Sequence, residues 1–261
     1  MNLNLKDKNA LVGGSSQGIG KAIAIELALL GANVTLVARN EEALKQTLSE
    51  LDIKQNQQHD YLIADFSKPE ELKKLINAKI KTTTYNILVN NTGGPAGGNV
   101  VDATEVQFLQ AFQSHLICNH ILATALIPGM KQNGYGRIIN VISTSVKIPL
   151  KGLGVSNTIR AAVANWSKTM ANELAPFSIT VNNVLPGATK TQRLTQLNKA
   201  KSEKTGIAIA DLEKETMKEI PMGRFADPSE IAAAAAFLAS PAAGYITGIN
   251  VPVDGGRTGS L

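Results

Sequence analysis

Short, almost uninterrupted apolar runs alternate along this chain with longer segments in which apolar and polar residues follow helical spacing. The runs are Asn9–Val12, Val34–Ala38, Tyr61–Ala64, Asn86–Val89, Arg137–Ile142, Ile179–Val184 and Ile249–Val253. They read as strands, and the second, Val34–Ala38, as one buried on both faces, because a half-exposed strand would alternate apolar and polar positions. Helical patterns fill the intervals: Lys21–Ala28, Glu41–Leu51, Pro69–Ile80, Glu105–Lys131 and Asn157–Leu174. A last one opens at Asp227-Pro228-Ser229-Glu230, which is a helix start in its own right. Asp caps, Pro takes the first position without losing a needed donor, and Glu returns to the cap. Strands separated by helices predict a doubly wound parallel α/β sheet with helices on both faces, and ligands at the carboxyl ends of its strands.

Residues 190–220 break this rhythm. They carry seven Lys/Arg and five Asp/Glu, with Gly206 between two short helical patterns. The expectation is a single domain over 1–261, with 190–220 as a lid on its substrate side. Within the regular part, Gly13-Gly14-Ser15-Ser16-Gln17-Gly18-Ile19-Gly20 lies between the first strand and the first helix. Strand, glycine turn, helix is the Rossmann-type setting of a dinucleotide-phosphate loop. The helix start offers unpaired N–H groups and its positive dipole end to the phosphates.

Composition narrows the field. Of 261 residues, 44% are hydrophobic and only 4% aromatic, so the core is aliphatic and base-stacking surfaces are absent. A net charge of +5, dispersed over this length, reads as a solvated surface, so no nucleic-acid partner is expected. Cys118 is the one cysteine, which excludes an intrachain disulfide. Met1–Lys8 is polar and has no signal-peptide core, and no apolar run reaches the length of a membrane span. A cytoplasmic location without a membrane partner is therefore expected. His115, Cys118 and His120 share a helix but do not converge, so no metal site is assigned.

The chain resembles the short-chain dehydrogenase/reductase family over nearly its whole length. The family's T-G-x-x-x-G-I-G loop is matched at Gly13–Gly20, with Gly13 for Thr. Its N-N-A-G turn is Asn90-Asn91-Thr92-Gly93, and its P-G-x-x-x-T segment is Pro186-Gly187-Ala188-Thr189-Lys190-Thr191. Pro221–Phe225 and Val253–Gly256 match late features. The resemblance implies a nicotinamide-dependent oxidoreductase acting on a small carbonyl or alcohol substrate, as a homotetramer. It also implies that Gly14, Ser16, Gly18, Ile19 and Gly20 line the pyrophosphate and ribose. Asp65, with the Phe66 backbone, would meet the adenine, Asn91 and Gly93 the adenosine ribose, and Pro186, Gly187, Thr189 and Thr191 the carboxamide. At the end of strand two stand Ala38-Arg39-Asn40, with no acid to repel a 2′-phosphate. Arg39, helped by the Ser15 hydroxyl, would hold that phosphate, which favours NADP(H) over NAD(H).

The catalytic positions depart from the family. Its working set is Asn, Ser, Tyr and Lys. Ser143 stands at the serine position, but thirteen residues on Tyr is replaced by Ser156, and Lys by Arg160. His115 stands at the asparagine position. A serine hydroxyl is a far weaker acid than a phenol, and Arg160 would stay charged and hold ribose hydroxyls without relaying protons. His115, with an ordinary pKa of about 6.5, is the remaining candidate for acid–base work, through a water in the space left at Ser156. Two readings follow: an NADP-dependent oxidoreductase with a non-standard proton donor, or a dinucleotide-binding sensor or scaffold with weak or no turnover.

Overall fold

The computed structural model describes residues 1–260. Seven parallel strands form one sheet in the order β3-β2-β1-β4-β5-β6-β7. They are β1 Asn9–Gly13, β2 Asn33–Ala38, β3 Asp60–Ile63, β4 Ile87–Asn90, β5 Gly136–Val141, β6 Ile179–Pro186 and β7 Asn250–Val253. The order reverses direction between β1 and β4, which opens a crevice at the carboxyl edge where doubly wound sheets bind ligands. The expected fold class is therefore observed.

Two apolar layers sandwich the sheet. On one face α1 (Gly18–Leu29), α2 (Glu41–Ser49) and α9 (Pro228–Ala239) bury Ile23, Leu27, Leu44 and Ile231 against Val12, Val34 and Leu36. On the other, α3 (Pro69–Lys79), α5 (Cys118–Gln132) and α6 (Gly154–Leu174) bury Ile76, Leu122, Met130 and Met170 against Leu11, Leu88 and Ile138. The alanine run of α9 lets it lie close to α1, as expected of a core short of aromatics. Its start carries the predicted capping box of Asp227 and Glu230.

The helix expected over Glu105–Lys131 is not continuous. It is α4 (Glu105–Phe112), one wide π turn over Gln113–Ile117, and then α5. Such an inserted residue shifts the helix face, and it occurs most often at functional sites. Its middle residue is His115. Residues 190–220 form α7 (Gln192–Thr205) and α8 (Ile209–Lys218), hinged at Gly206 with φ 73°.

A row of asparagines crosses the carboxyl half of the sheet. Asn90, Asn140, Asn183 and Asn250 stand opposite one another on β4, β5, β6 and β7. Asn90 donates to Asn140 at 2.8 Å, Asn140 to Asn183 at 3.0 Å, and Asn183 to Asn250 at 2.8 Å. Asn140 also donates to Ser167 of α6 at 3.1 Å. These amides are shielded by apolar layers, so their mutual bonds are needed to offset the loss of water.

Candidate active site

The turn after β1 has the shape a dinucleotide phosphate requires. Gly14 and Gly18 both hold φ +56°, a region that favours glycine. A Cβ on Gly20 would stand 2.2 Å from the Gly14 carbonyl oxygen, so only glycine lets α1 begin there. Gln17 caps α1 without a side-chain hydrogen bond, and no acid lies in the first turn. The first N–H groups of α1 are thus left for an anion. Ser16 is half-buried, and its hydroxyl has no partner among the described residues. Thr191, the cap of α7, packs over this turn, with its methyl 3.4 Å from where a Gly18 Cβ would be. These features fit a pyrophosphate.

Other sites expected to touch cofactor serve the turn indirectly. The Asn91 side chain donates to Gly13 and Gly14 carbonyls at 3.1 and 3.3 Å, fixing the loop rather than facing outward. Ser15 is wholly buried, and its hydroxyl accepts from the Val37 N–H at 2.9 Å. It ties the turn to β2 and is turned away from any surface where a 2′-phosphate could lie. Gly13 replaces the family's threonine for a visible reason. A Cβ there would stand 2.8 Å from the Asn91 carbonyl oxygen and 3.2 Å from the Phe66 ring. Phe66 is buried, and its carbonyl accepts from the Cys118 thiol at 3.2 Å. Gly93 borders open space.

At the end of β2, Arg39 is exposed, and the nearby Asp65 carboxyl is held below the usual range, against its partial desolvation, by hydrogen bonds from Ser67 and then by the charge of Arg39. Asp65 Oδ1 accepts from the Ser67 N–H at 2.9 Å. On the far side of the crevice, Gly187 has room for no side chain, since a Cβ would lie 2.7 Å from Asp254 Cα. Thr189 is buried and donates to the Gly187 carbonyl at 3.1 Å; Thr191 donates to the Thr189 carbonyl at 3.2 Å. Pro186 ends β6 directly before this turn.

The catalytic positions converge above β4, β5 and β6. Ser143 follows β5, and its hydroxyl accepts from the Ser145 N–H at 3.1 Å. Ser156 and Arg160 sit one turn apart on α6, and so on one face. Arg160 Nη1 donates to the Val141 carbonyl at 2.9 Å, which brings the guanidinium to the end of β5 beside Ser143. Its buried Nε has no acceptor. Burial, and then the facing Arg193, push the guanidinium down to about 10, so it stays charged at neutral pH. His115 is buried, with its ring hydrogen-bonded to the Gly93 backbone.

The role expected of His115 needs correction. Desolvation, then the charges of Arg160 and Arg193, drive its pKa well below 6.5. This favours the neutral ring, so a relay through His115 would titrate below the ordinary histidine value. His120 and Cys118 lie apart from it, the first against Trp166 and the second under Phe66.

A cavity of about 320 Å³ opens beside this cluster, lined by Gly94, Pro95, Gln107, Gln110, His115 and Val155 among others. It is large enough for a small molecule and contains no acid. Arg193, from the first turn of α7, enters the same region and donates to the Pro95 carbonyl. Sequence reasoning passed over Arg193. A cation in the first turn of a helix opposes the dipole, and that misplacement was the available signal.

A crevice at the strand reversal, with a glycine turn on one side and a serine–arginine cluster on the other, defines an oxidoreductase of the short-chain dehydrogenase/reductase class. The family model described as Enoyl-(Acyl carrier protein) reductase matches residues 14–258, and the chain belongs to this family. It is 35% identical to 3-oxoacyl-[acyl-carrier-protein] reductase FabG of Vibrio cholerae, over 97% of this chain and 98% of that protein. It is 32% identical to NADPH-dependent reductase BacG of Bacillus subtilis, over 98% of this chain and 100% of that protein. The crystal structure of L-sorbose reductase from Gluconobacter frateurii, complexed with NADPH and L-sorbose, superposes with a TM-score of 0.93 at 30% identity, covering 100% of both chains.

Proposed function

We propose that the chain is an NADPH-dependent reductase of a small carbonyl compound that works without a phenolic proton donor. The observation that carries this reading is the intact phosphate turn at Gly14–Gly20, joined by a cavity whose wall at Gly94 the Arg160 guanidinium reaches. The cofactor of BacG and of the sorbose reductase structure supports NADP(H), as does the absence of any acid at Ala38-Arg39-Asn40. The first N–H groups of α1, with Ser16, would hold the pyrophosphate, and Arg39 the 2′-phosphate. The bound cofactor supplies the hydride.

The chain's own residues do the rest. Ser143 donates a hydrogen bond from its hydroxyl to the carbonyl oxygen and orients it. Arg160 brings a fixed positive charge to where the alkoxide develops, the electrostatic term that most lowers such barriers. Water in the space left at Ser156 supplies the proton, so the alkoxide leaves as the alcohol and hydroxide is neutralised by solvent. His115, held neutral, shapes this space through its bond to Gly93.

The test pairs binding with turnover. NADPH should bind in calorimetry, NADPH oxidation should follow with members of a carbonyl panel, and Ser143→Ala should abolish oxidation while keeping NADPH affinity. A chain that binds NADPH and oxidises it with no carbonyl would instead be a dinucleotide-binding sensor, the reading that the loss of the Tyr and Lys groups favours. Exposed Val106, Leu109, Phe112 and Ile117 around the π turn give an apolar face suited to self-association. A homotetramer is expected by light scattering, and a monomer at micromolar concentration would refute it.

A further inference from the structure

Two half-buried guanidiniums meet in this site with nothing of opposite charge between them. Arg193 Nη2 lies 3.5 Å, and Arg160 Nη2 3.6 Å, from the point where a Cβ on Gly94 would stand. The ion pairs of the described residues all lie elsewhere, and no carboxylate acts on either arginine. The hydrogen bonds recorded for the pair are one from Arg160 to Val141 and one from Arg193 to Pro95, so most of their donors have no protein acceptor. Arg160 Nε is sealed from solvent without a partner. Burying like charges together is costly unless a counter-ion completes the arrangement. His115, whose protonation would add a third charge, is kept neutral first by its burial and then by the charges of Arg160 and Arg193.

Helix formation does not explain Arg193 either. It occupies the first turn of α7, where the dipole disfavours a cation. Yet its side chain reaches back over the loop after β4, beside Gly94 and Pro95, which line the 320 Å³ cavity. The glycine leaves the approach to both forks unobstructed. Planar, forked donors from two residues within 3.6 Å of one point match a carboxylate.

We propose that Arg193, acting with Arg160, makes this cavity a carboxylate receptor, so that the substrate is an oxo acid rather than a neutral ketone. The proposal rests on the oxidoreductase reading for the word substrate, and on the arginine pair alone for the carboxylate. Arg193 is then the specificity residue, delivered by the lid, while the carbonyl oxygen lies toward Ser143.

Calorimetry with the whole chain, with and without NADP⁺, decides it. The probes are pyruvate, acetoacetate and levulinate, each against its methyl ester. At least one acid should bind the wild type about tenfold or more tighter than its ester, the size of one charge-assisted bond. Arg193→Gln should erase that ratio with little effect on the ester, and Arg193→Lys should restore part of it. Equal binding of acids and esters by the wild type would overturn the proposal. So would an Arg193→Gln variant that weakens NADP⁺ and leaves the acid-to-ester ratio unchanged, since Arg193 would then serve the cofactor. Failure of NADP⁺ to bind would sink the oxidoreductase reading alone, because the ratio measured on the cofactor-free chain still decides this one.

Discussion

Replacing Ser156 by Tyr and Arg160 by Lys should give this site the proton donor it lacks. The two positions face the same way from α6, one turn apart, and Ser156 adjoins Val155 of the cavity wall. A positioned acid is worth about 10²–10⁴-fold, or about 3–5 kcal/mol of barrier. Two features place the expectation at the lower end. Lysine lacks the fork by which Arg160 reaches the Val141 carbonyl at 2.9 Å, so it would be held less firmly. His115 stands where a relay to the lysine would pass, and its ring is already bonded to Gly93. Arg193 works in the other direction, because a like charge lowers the lysine pKa and, with it, the phenol's. The expected net gain in kcat for a neutral ketone such as methyl acetoacetate is about 10²-fold over wild type. Ser156→Tyr alone should gain less, since Arg160 cannot pass a proton. Steady-state NADPH oxidation, with NADPH affinity measured on the same preparations, is the assay. A double variant that folds, binds NADPH as wild type does, and turns over no faster would refute the assignment of these positions. A wild type already as fast as ordinary family members would do so too, because an acid would then exist that the site does not contain.

Arg39→Ala should weaken NADPH about tenfold, the low end of a charge-assisted bond because Arg39 is exposed, and leave NADH nearly unchanged. Equal losses for both cofactors would contradict the 2′-phosphate assignment. His115 has a folded pKa below its unfolded value of about 6.5, so stability is complete above that pH and falls as pH drops, while the unfolded chain takes up a proton that the folded chain refuses. Denaturant unfolding of wild type against His115→Asn should therefore diverge below pH 6.5 by up to about 1.4 kcal/mol per pH unit, and parallel curves would refute a neutral buried ring. Amide exchange in residues 190–220 should be fast in the free chain and slower with NADPH, given the Gly206 hinge; equal protection in both states would argue against a lid.

The central strands were legible because their aliphatics run on without strict polar alternation, as Ile87-Leu88-Val89 shows, whereas the edge strands Asp60–Ile63 and Asn250–Val253 are only partly buried. The helix start at Asp227 was legible from local chemistry alone. The π turn at Gln113–Ile117 was not, because one extra residue in a helix leaves no mark on spacing over so short a stretch. The glycine turn could be read because its backbone conformation demands particular residues. By contrast, the inward turn of Ser15 depends on the Val37 N–H, which only the assembled sheet brings near. The lowered pKa of His115 and the meeting of Arg160 with Arg193 arise from three elements far apart in sequence. A residue-by-residue transfer from the family could reach the first two positions and had no counterpart for the third.

The asparagine row has a consequence for how accurately this site can be assembled. Aliphatic strands slide past one another at modest cost, because one isoleucine packs much like the next. A slip of β5 by one step would set Asn140 opposite Val89 and Asn182, or opposite Asn91 and Val184, and so break the amide row at about 1–3 kcal/mol for each buried amide left unpaired. The row therefore acts as a vernier that sets the heights of four strands against one another. Each mark stands just before a working loop: Asn90 precedes Asn91, Asn140 is three residues from Ser143, Asn183 is three from Pro186, and Asn250 is four from Asp254. Crevice geometry is thus inherited from strand alignment, and a single-residue deletion inside β5 should displace Ser143 even if the chain still folds.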